Sequence, residues 1–577
     1  MSREEARTSP EGPARGLAAI FPPARWLRAY PLAWLPKDAV SGVTLAAYAI
    51  PVSLAYATLA GLPPHQGIYC YMFGGLFYAL FGTSRQLSVG PTSAISLLVG
   101  TTVAGMAGGD PERWAQIAAL AALVFAGMCV IGWLLRASAL VAFISETNLL
   151  GFKAGAALTI SMTQLPKLFG VKGGGENFFE RAGILAGQLP ETNWAVFAFG
   201  AAAIVLLLLG EKLLPGRPVA LFVVVASIVV LSTTALAEKG FKVVGEIPAG
   251  LPALQAPGLR LRDVEGVIPL AFACLLLAYV ESVSAARALA RKNGYEIDPR
   301  QELLALGAAN IATAFGQGYA VAGGLSQSSV NDKAGAKTPL SLVFASATIA
   351  LCLLFLTGLI RNLPNVVLAA IVLVAVKSLI KLPELRRLWR VSRLEFAVSM
   401  AALVGVLLLG ILKGVLLAAL VSLLMLLRAG MRPHVAVLGR IPGTARYSDM
   451  ERNPDNEPLA GIRIFRPEAS ILYFNAEFVR DEIRRRVREA GETLRAVVVD
   501  LSSSPHVDVS GALMLHDLSD ELEARKIAFR VVEARARVRE LLRSEVVEVE
   551  AFEVNRRTSL HELLESLRAP AAKEKGA

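Results

Sequence analysis

The sequence predicts an all-α polytopic membrane domain of fourteen spans, arranged as two inverted seven-span repeats and followed by a small α/β domain. Three observations carry this expectation. Of the 577 residues, 54% are hydrophobic, more than a soluble core needs. Apolar stretches near the length of about 20 residues that crosses a bilayer recur through the first three quarters of the chain. After Arg428 the pattern changes to short strands alternating with amphipathic helices, the mark of a small α/β fold.

Residues 1–37, rich in Arg and Pro, read as a cytoplasmic leader, because the apolar patch at 17–21 is too brief for a signal peptide. The first-half spans fall at 38–58, 67–82, 91–107, 113–135, 139–164, 193–211 and 217–237. A Gly/Pro-rich stretch at 240–258 separates them from spans at 266–290, 300–316, 325–336, 338–360, 364–380, 393–411 and 413–428. The membrane domain thus covers 38–430, with repeats at about 38–237 and 266–428. Loops after even-numbered spans carry Arg85, Arg136, Arg217, Arg291, Lys292, Lys381, Arg386, Arg387 and Arg390, the bias expected of the cytoplasmic side. Two longer loops on the other side hold Lys167, Lys172, Arg260 and Arg262, which fit that rule less well. An even count puts both termini in the cytoplasm of a multi-pass protein of the cell (inner) membrane. Seven spans per repeat place the halves in opposite orientations.

Residues 431–570 read as a cytoplasmic α/β domain ahead of a tail at 571–577. Strands are expected at 462–465, 471–474, 496–501 and 527–532, and helices at 478–489 and 510–523, with a loop over 440–458. The formal charge of +11 comes largely from basic residues at the ends of apolar segments. Membrane lipid, and not nucleic acid, is therefore the partner this charge implies. Cys70, Cys129, Cys274 and Cys352 lie inside apolar stretches without close pairing, so they read as packing residues and neither a metal nor a cofactor is expected.

Matching features occupy the third span of each half. Gly90-Pro91-Thr92-Ser93-Ala94 precedes one helix and Gly323-Gly324-Leu325-Ser326-Gln327-Ser328 opens the other. Each helix start exposes free N–H groups and about half a positive charge, so two facing starts make an anion site. Either alone would serve as an ordinary N-cap; the recurrence favours the anion site. Glu281, within Ala278-Tyr279-Val280-Glu281-Ser282, puts a carboxylate into an apolar helix, which costs at least about 2.5 kcal/mol and marks a functional candidate, with a hydrogen-bonded structural carboxylate as the alternative. Beside an anion its charge repels until a proton or cation neutralises it. Pro51 interrupts the first span, and Tyr56, about one turn later, could face the same cavity, although residue type alone favours packing. In the soluble part, Asp508 or Ser510 could cap a helix; no nucleophile–base pair or phosphate loop accompanies them, so an enzyme is not expected.

Together these residues resemble the sulfate permease (SulP) family of anion transporters, which includes the solute-carrier anion exchangers and prestin. The resemblance rests on Ile50-Pro51 with Leu54-Ala55-Tyr56-Ala57 and Leu59-Ala60-Gly61-Leu62-Pro63-Pro64, on Phe81-Gly82-Thr83-Ser84-Arg85 with Ser88-Val89-Gly90-Pro91-Thr92, and on Asn331 with Ala334-Gly335-Ala336-Lys337-Thr338-Pro339-Leu340. The soluble part resembles a STAS domain, with Asp508-Val509-Ser510-Gly511 at its signature loop. The resemblance implies a core domain and a gate domain, anion binding between spans three and ten, an elevator-type movement, a homodimer, and a STAS domain acting in assembly and regulation. By position, Tyr56, Thr92, Ser93, Ser326, Gln327 and Ser328 would line the anion site, Glu281 would couple transport to a proton or cation, and Asp508 and Ser510 would be regulatory. A regulatory partner at the STAS domain, of unspecified identity, is a further expectation.

Two departures from the family pattern matter. Val52 stands where many relatives have a polar residue, and Gln327 stands where many have Arg. Without that Arg the positive potential near the site is expected to fall to the helix ends alone, so proton uptake at Glu281 gains weight. The expected activity is proton-coupled symport of sulfate or a related small anion. Sodium-coupled bicarbonate transport, proton-coupled dicarboxylate transport and an anion channel or prestin-like voltage-responsive protein are the alternatives. Ala285, one turn after Glu281, offers no side-chain oxygen to a sodium ion, which favours H+ as the coupling ion.

Overall fold

The structure, a computed structural model, describes residues 21–28, 30–137, 146–175, 177–214, 218–234, 240–545 and 558–568. The chain divides into two compact units, Met1–Ser422 and Leu423–Ala577. Residues 1–20 of the expected leader, the start of the fifth span at 139–145, positions 217 and 235–237 of the seventh, and the tail lie outside the described residues.

Each expected span overlaps a helix. These are α1 (Leu35–Leu59), α2 (Pro64–Phe81), α3 (Ser93–Ala107), α4 (Pro111–Leu134), α5 (Glu146–Phe169), α6 (Trp194–Leu213) and α7 (Val219–Thr233) in the first half. The second half has α8 (Leu261–Asn293), α9 (Pro299–Phe315), α10 (Leu325–Lys333), α11 (Leu340–Phe355), α12 (Asn365–Val376), α13 (Arg393–Leu409) and α14 (Ile411–Met431). Among the described residues, six helical segments are long and apolar enough to cross a membrane by themselves. By contrast α10, at nine residues, rises only about 14 Å. Such a short helix is tolerated at membrane depth because protein surrounds it.

In the first unit, two departures from expectation fall in the second half. The eleventh expected span ends early at Phe355, and a separate turn of helix follows at Thr357–Ile360. The basic loop after α12 contains a helix, Leu382–Val391, because Leu385 and Leu388 share its buried face while the arginines take the other.

The helices pack as two layers. α1, α2 and α4 pack with α8, α9 and α11, whereas α5, α6 and α7 pack with α12 and α5 also with α13; α1 touches α7 and α12 across the layers. Apolar residues such as Leu209, Phe222 and Leu408 are left exposed on the outside, as a lipid-facing surface requires. Inside, two buried carboxylates join the halves. Glu302 accepts hydrogen bonds from the Tyr78 hydroxyl (2.8 Å) and from the Thr83 amide (2.9 Å) and hydroxyl (2.6 Å). Asp38 accepts from the amides of Lys337 (2.6 Å) and Thr338 (3.1 Å) and from the Thr338 hydroxyl (2.7 Å). Buried carboxylates are tolerated when hydrogen-bonded in this way. The conspicuous Thr83 and Lys337-Thr338 motifs are thus braces between the repeats.

The second unit holds a five-stranded sheet in the order β4-β3-β5-β6-β7, where β3 is Val435–Arg440, β4 Tyr447–Asp449, β5 Ile462–Pro467, β6 Ala496–Asp500 and β7 Ala528–Val532. β3 is antiparallel to both β4 and β5, and β5, β6 and β7 are parallel. Helices α15 (Ala476–Ala490) and α16 (Val509–Ala524) form the parallel crossovers. Val497, Val499 and Phe529 pack with Val479, Ile483, Leu515 and Leu518, while Val498 and Ile464 face Leu560 and Leu564, so alternate strand residues serve opposite faces.

Segment 471–474 is not a strand. Only Ile471 bridges to Val507, and the following amides go to turn partners: Leu472 to Asn475 Oδ1 (2.8 Å) and Tyr473 to Asp508 Oδ2 (2.7 Å). The expected loop at 440–458 carries β4, whose donors and acceptors pair with β3.

Asp508 is the N-cap of α16, accepting from the Gly511 amide at 2.9 Å as well as from Tyr473. Asp508→Ala leaves both amides without that acceptor and should cost about 1–2 kcal/mol. Hydrogen–deuterium exchange on the full-length protein should show roughly tenfold faster exchange across residues 509–524; unchanged protection there would contradict this role.

Candidate functional site

The lead-ins to α3 and α10 form a two-stranded antiparallel ribbon, β1 (Val89–Gly90) with β2 (Ala322–Gly323), in which Val89 faces Gly323 and Gly90 faces Ala322. Each strand runs almost directly into its helix, so antiparallel pairing brings the two helix starts together while the helices point apart. Thr92 and Gly324, both extended, are the N-caps; the Thr92 side chain leaves the first-turn amides free and Gly324 has none to offer them. The Thr92 hydroxyl is itself buried without a hydrogen-bond partner. The result is a concentration of unclaimed donors with about half a positive charge at each end.

A polar network fixes this junction. The Ser88 amide donates to Ser328 Oγ (2.8 Å), whose own hydroxyl donates to the Gly324 carbonyl (2.7 Å). The Tyr71 hydroxyl donates to Gln327 Oε1 (2.9 Å) and meets the Ser88 hydroxyl (2.8 Å), and Gln327 Nε2 donates to the Ser88 carbonyl (3.3 Å). On α8, the Ser282 hydroxyl accepts from the Gly323 amide at 2.8 Å, which anchors the residue next to Glu281 onto β2. Asn310 clamps both the amide (2.8 Å) and the carbonyl (3.1 Å) of Val321.

The helix starts open onto a cavity of about 490 Å³ lined by Tyr56, Thr92, Ser93, Glu281, Ser326 and, from the other layer, Lys153. Of the residues expected at the site, Tyr56, Thr92, Ser93 and Ser326 come together there with Glu281. Gln327 also contributes to the wall, but its amide is committed to Tyr71 and Ser88. Ser328 is fully buried outside the lining and serves as a brace. Val52 presents an apolar surface beside Tyr56.

One expectation requires correction. The positive potential does not come from the helix ends alone, because Lys153 of α5 places its Nζ 3.5 Å from Glu281 Oε1. Both side chains are mostly covered, at 24% and 13% exposure, so the pair is screened less than a surface ion pair. Arg287 and Arg291 line the cavity further along α8 and are exposed, and Lys381 pairs with Glu384 at 3.0 Å. Lys153 was findable by the rule that singles out Glu281: it is the charged residue between Phe152 and Ala154 in an otherwise apolar stretch.

In the second unit, taken by itself, Asp508 is occupied as a helix cap, whereas Ser510 is exposed in the first turn of α16.

Residues 35–402 match the family model described as the sulfate permease family, and residues 453–555 match that of the STAS domain. A Mycobacterium tuberculosis protein named Probable sulfate transporter Rv1739c is 34% identical over 517 residues, covering 90% of this chain and 92% of that protein. Sulfate transporter 4.1, chloroplastic, of Arabidopsis thaliana is 32% identical, covering 89% of this chain and 77% of its own length. Among solved structures, the murine solute carrier 26 family member A9 anion transporter superimposes with a TM-score of 0.88 at 23% identity, covering 98% of this chain and 97% of that one. The transmembrane domain of the cyanobacterial bicarbonate transporter BicA superimposes with a TM-score of 0.60 at 21% identity, covering 67% of this chain and 98% of that one.

Proposed function

Because the chain belongs to the sulfate permease family and carries a C-terminal STAS domain, we propose that it is a secondary active transporter moving sulfate or a related small anion together with protons. The observation that carries this reading is the β1–β2 ribbon, which holds two uncapped helix starts over one cavity with Glu281 in its wall. Backbone N–H groups recognise an oxyanion by charge and size and need no formal cation of their own.

Proton coupling follows from electrostatics. An ionised Glu281 and a bound anion sharing one cavity repel, and protonation of the carboxylate removes that repulsion. Lys153 supports H+ over Na+, because its ammonium 3.5 Å from Glu281 repels a second cation at that carboxylate. The two packed layers, with the cavity between them, support an elevator-type movement of one against the other. The reading includes a homodimer with both termini cytoplasmic and a STAS domain that assembles and regulates it, with exposed Ser510 as the modifiable position.

Uptake of labelled sulfate into proteoliposomes tests the proposal. An inward proton gradient should drive accumulation above equilibrium; saturable uptake indifferent to the gradient would remove proton coupling, and an anion current without saturation would favour a channel.

A further inference from the structure

The Lys153–Glu281 pair joins the two packed layers, since α5 belongs to one and α8 to the other. Around the cavity, the charged and titratable side chains are Lys153 from α5, Tyr48 and Tyr56 from α1, Glu281, Arg287 and Arg291 from α8, and Lys381 and Glu384 beyond α12. Arg287 and Arg291 follow Glu281 by about 9 and 15 Å along the helix axis, near or beyond a Debye length of about 8 Å. They are exposed, and Lys381 is paired with Glu384, so these groups attract anions toward the mouth and leave the charge at the helix starts to Lys153 and Glu281.

We propose that Lys153 sets the valence of the transported anion, making the site select a doubly charged oxyanion over singly charged ones. This rests on the anion-transport reading and extends it. Lys153 and ionised Glu281 cancel, and the two helix starts together supply about one positive charge. A dianion then leaves the site near −1, and one proton taken up on Glu281 brings it to neutrality while freeing the Lys153 ammonium to face the anion. Without Lys153 the same dianion and proton leave an uncompensated negative charge, whereas a monoanion with one proton is balanced. The cation on α5 therefore matches one proton to one dianion.

The test uses full-length protein in detergent at constant ionic strength. Apparent affinities for sulfate and for nitrate are read from thermal stabilisation in the wild type, K153Q, E281Q and K153Q/E281Q. The sulfate-to-nitrate affinity ratio should fall at least about tenfold in K153Q. It should rise in E281Q, which moves the site charge the opposite way, and return to within about threefold of wild type in the double variant. A ratio unchanged in K153Q, or a fall that the double variant does not reverse, overturns the role of Lys153. Should K153Q not fold, E281Q and the double variant decide: a ratio at least about tenfold lower in the double variant than in E281Q supports the role of Lys153, and equal ratios refute it. A wild-type protein that neither sulfate nor nitrate stabilises would sink the anion-transport reading itself, and this proposal with it.

Discussion

Glu281→Gln should abolish gradient-driven accumulation while leaving anion binding in place. An inward gradient of about two pH units stores roughly 2.7 kcal/mol per proton, enough for about a hundredfold accumulation if one proton accompanies each anion. Gln keeps the size of Glu but cannot exchange a proton. The variant should therefore equilibrate labelled sulfate across the proteoliposome membrane without concentrating it, and its uptake should lose its dependence on external pH. Because the substitution also removes a negative charge from the cavity wall, sulfate should bind more tightly than to the wild type at neutral pH. Accumulation that persists in the variant would move the coupling group elsewhere.

Gly151→Ala should damage the layer that opposes the anion site. Gly151 of α5 lies against the backbone of α13, and a Cβ there would overlap the Ser399 carbonyl oxygen. No rotamer change relieves a clash with backbone, so the helices must separate, at a cost of about 3 kcal/mol or more. Gly105 of α3 is the control, since it is exposed with no atom within 4 Å of an added Cβ. Gly105→Ala should be neutral or slightly stabilising, because Ala favours the helix by about 1 kcal/mol. Thermal unfolding of the purified proteins checks both; a midpoint for Gly151→Ala equal to that of Gly105→Ala would contradict the tight crossing.

Much of this architecture was legible in the sequence because membrane spans depend on local composition. The starts of α3 and α10 stood out because small, hydroxyl-bearing segments sit there at matching positions of the two halves, and Glu281 because a lone carboxylate in an apolar helix is costly. What stayed hidden depends on distant partners. Gln327 reads as a free polar residue until Tyr71, 256 positions away, takes up its amide oxygen. Ser328 looks like a cavity hydroxyl, yet Ser88 claims it. The two-layer packing that brings Lys153 to Glu281 appears in no local pattern. In the second unit, β3 and β4 were missed because they are short and are held by antiparallel pairing, whereas the continuous apolar run of β6 announced a buried strand.

The central claim is that an oxyanion sits between the starts of α3 and α10. The most direct measurement is a structure of the full-length protein saturated with selenate, located by its anomalous scattering. The account predicts a peak within hydrogen-bonding distance of the amides following Thr92 and Gly324, inside the cavity that Glu281 and Lys153 share. A saturated protein whose selenate peak lies away from both helix starts would contradict it.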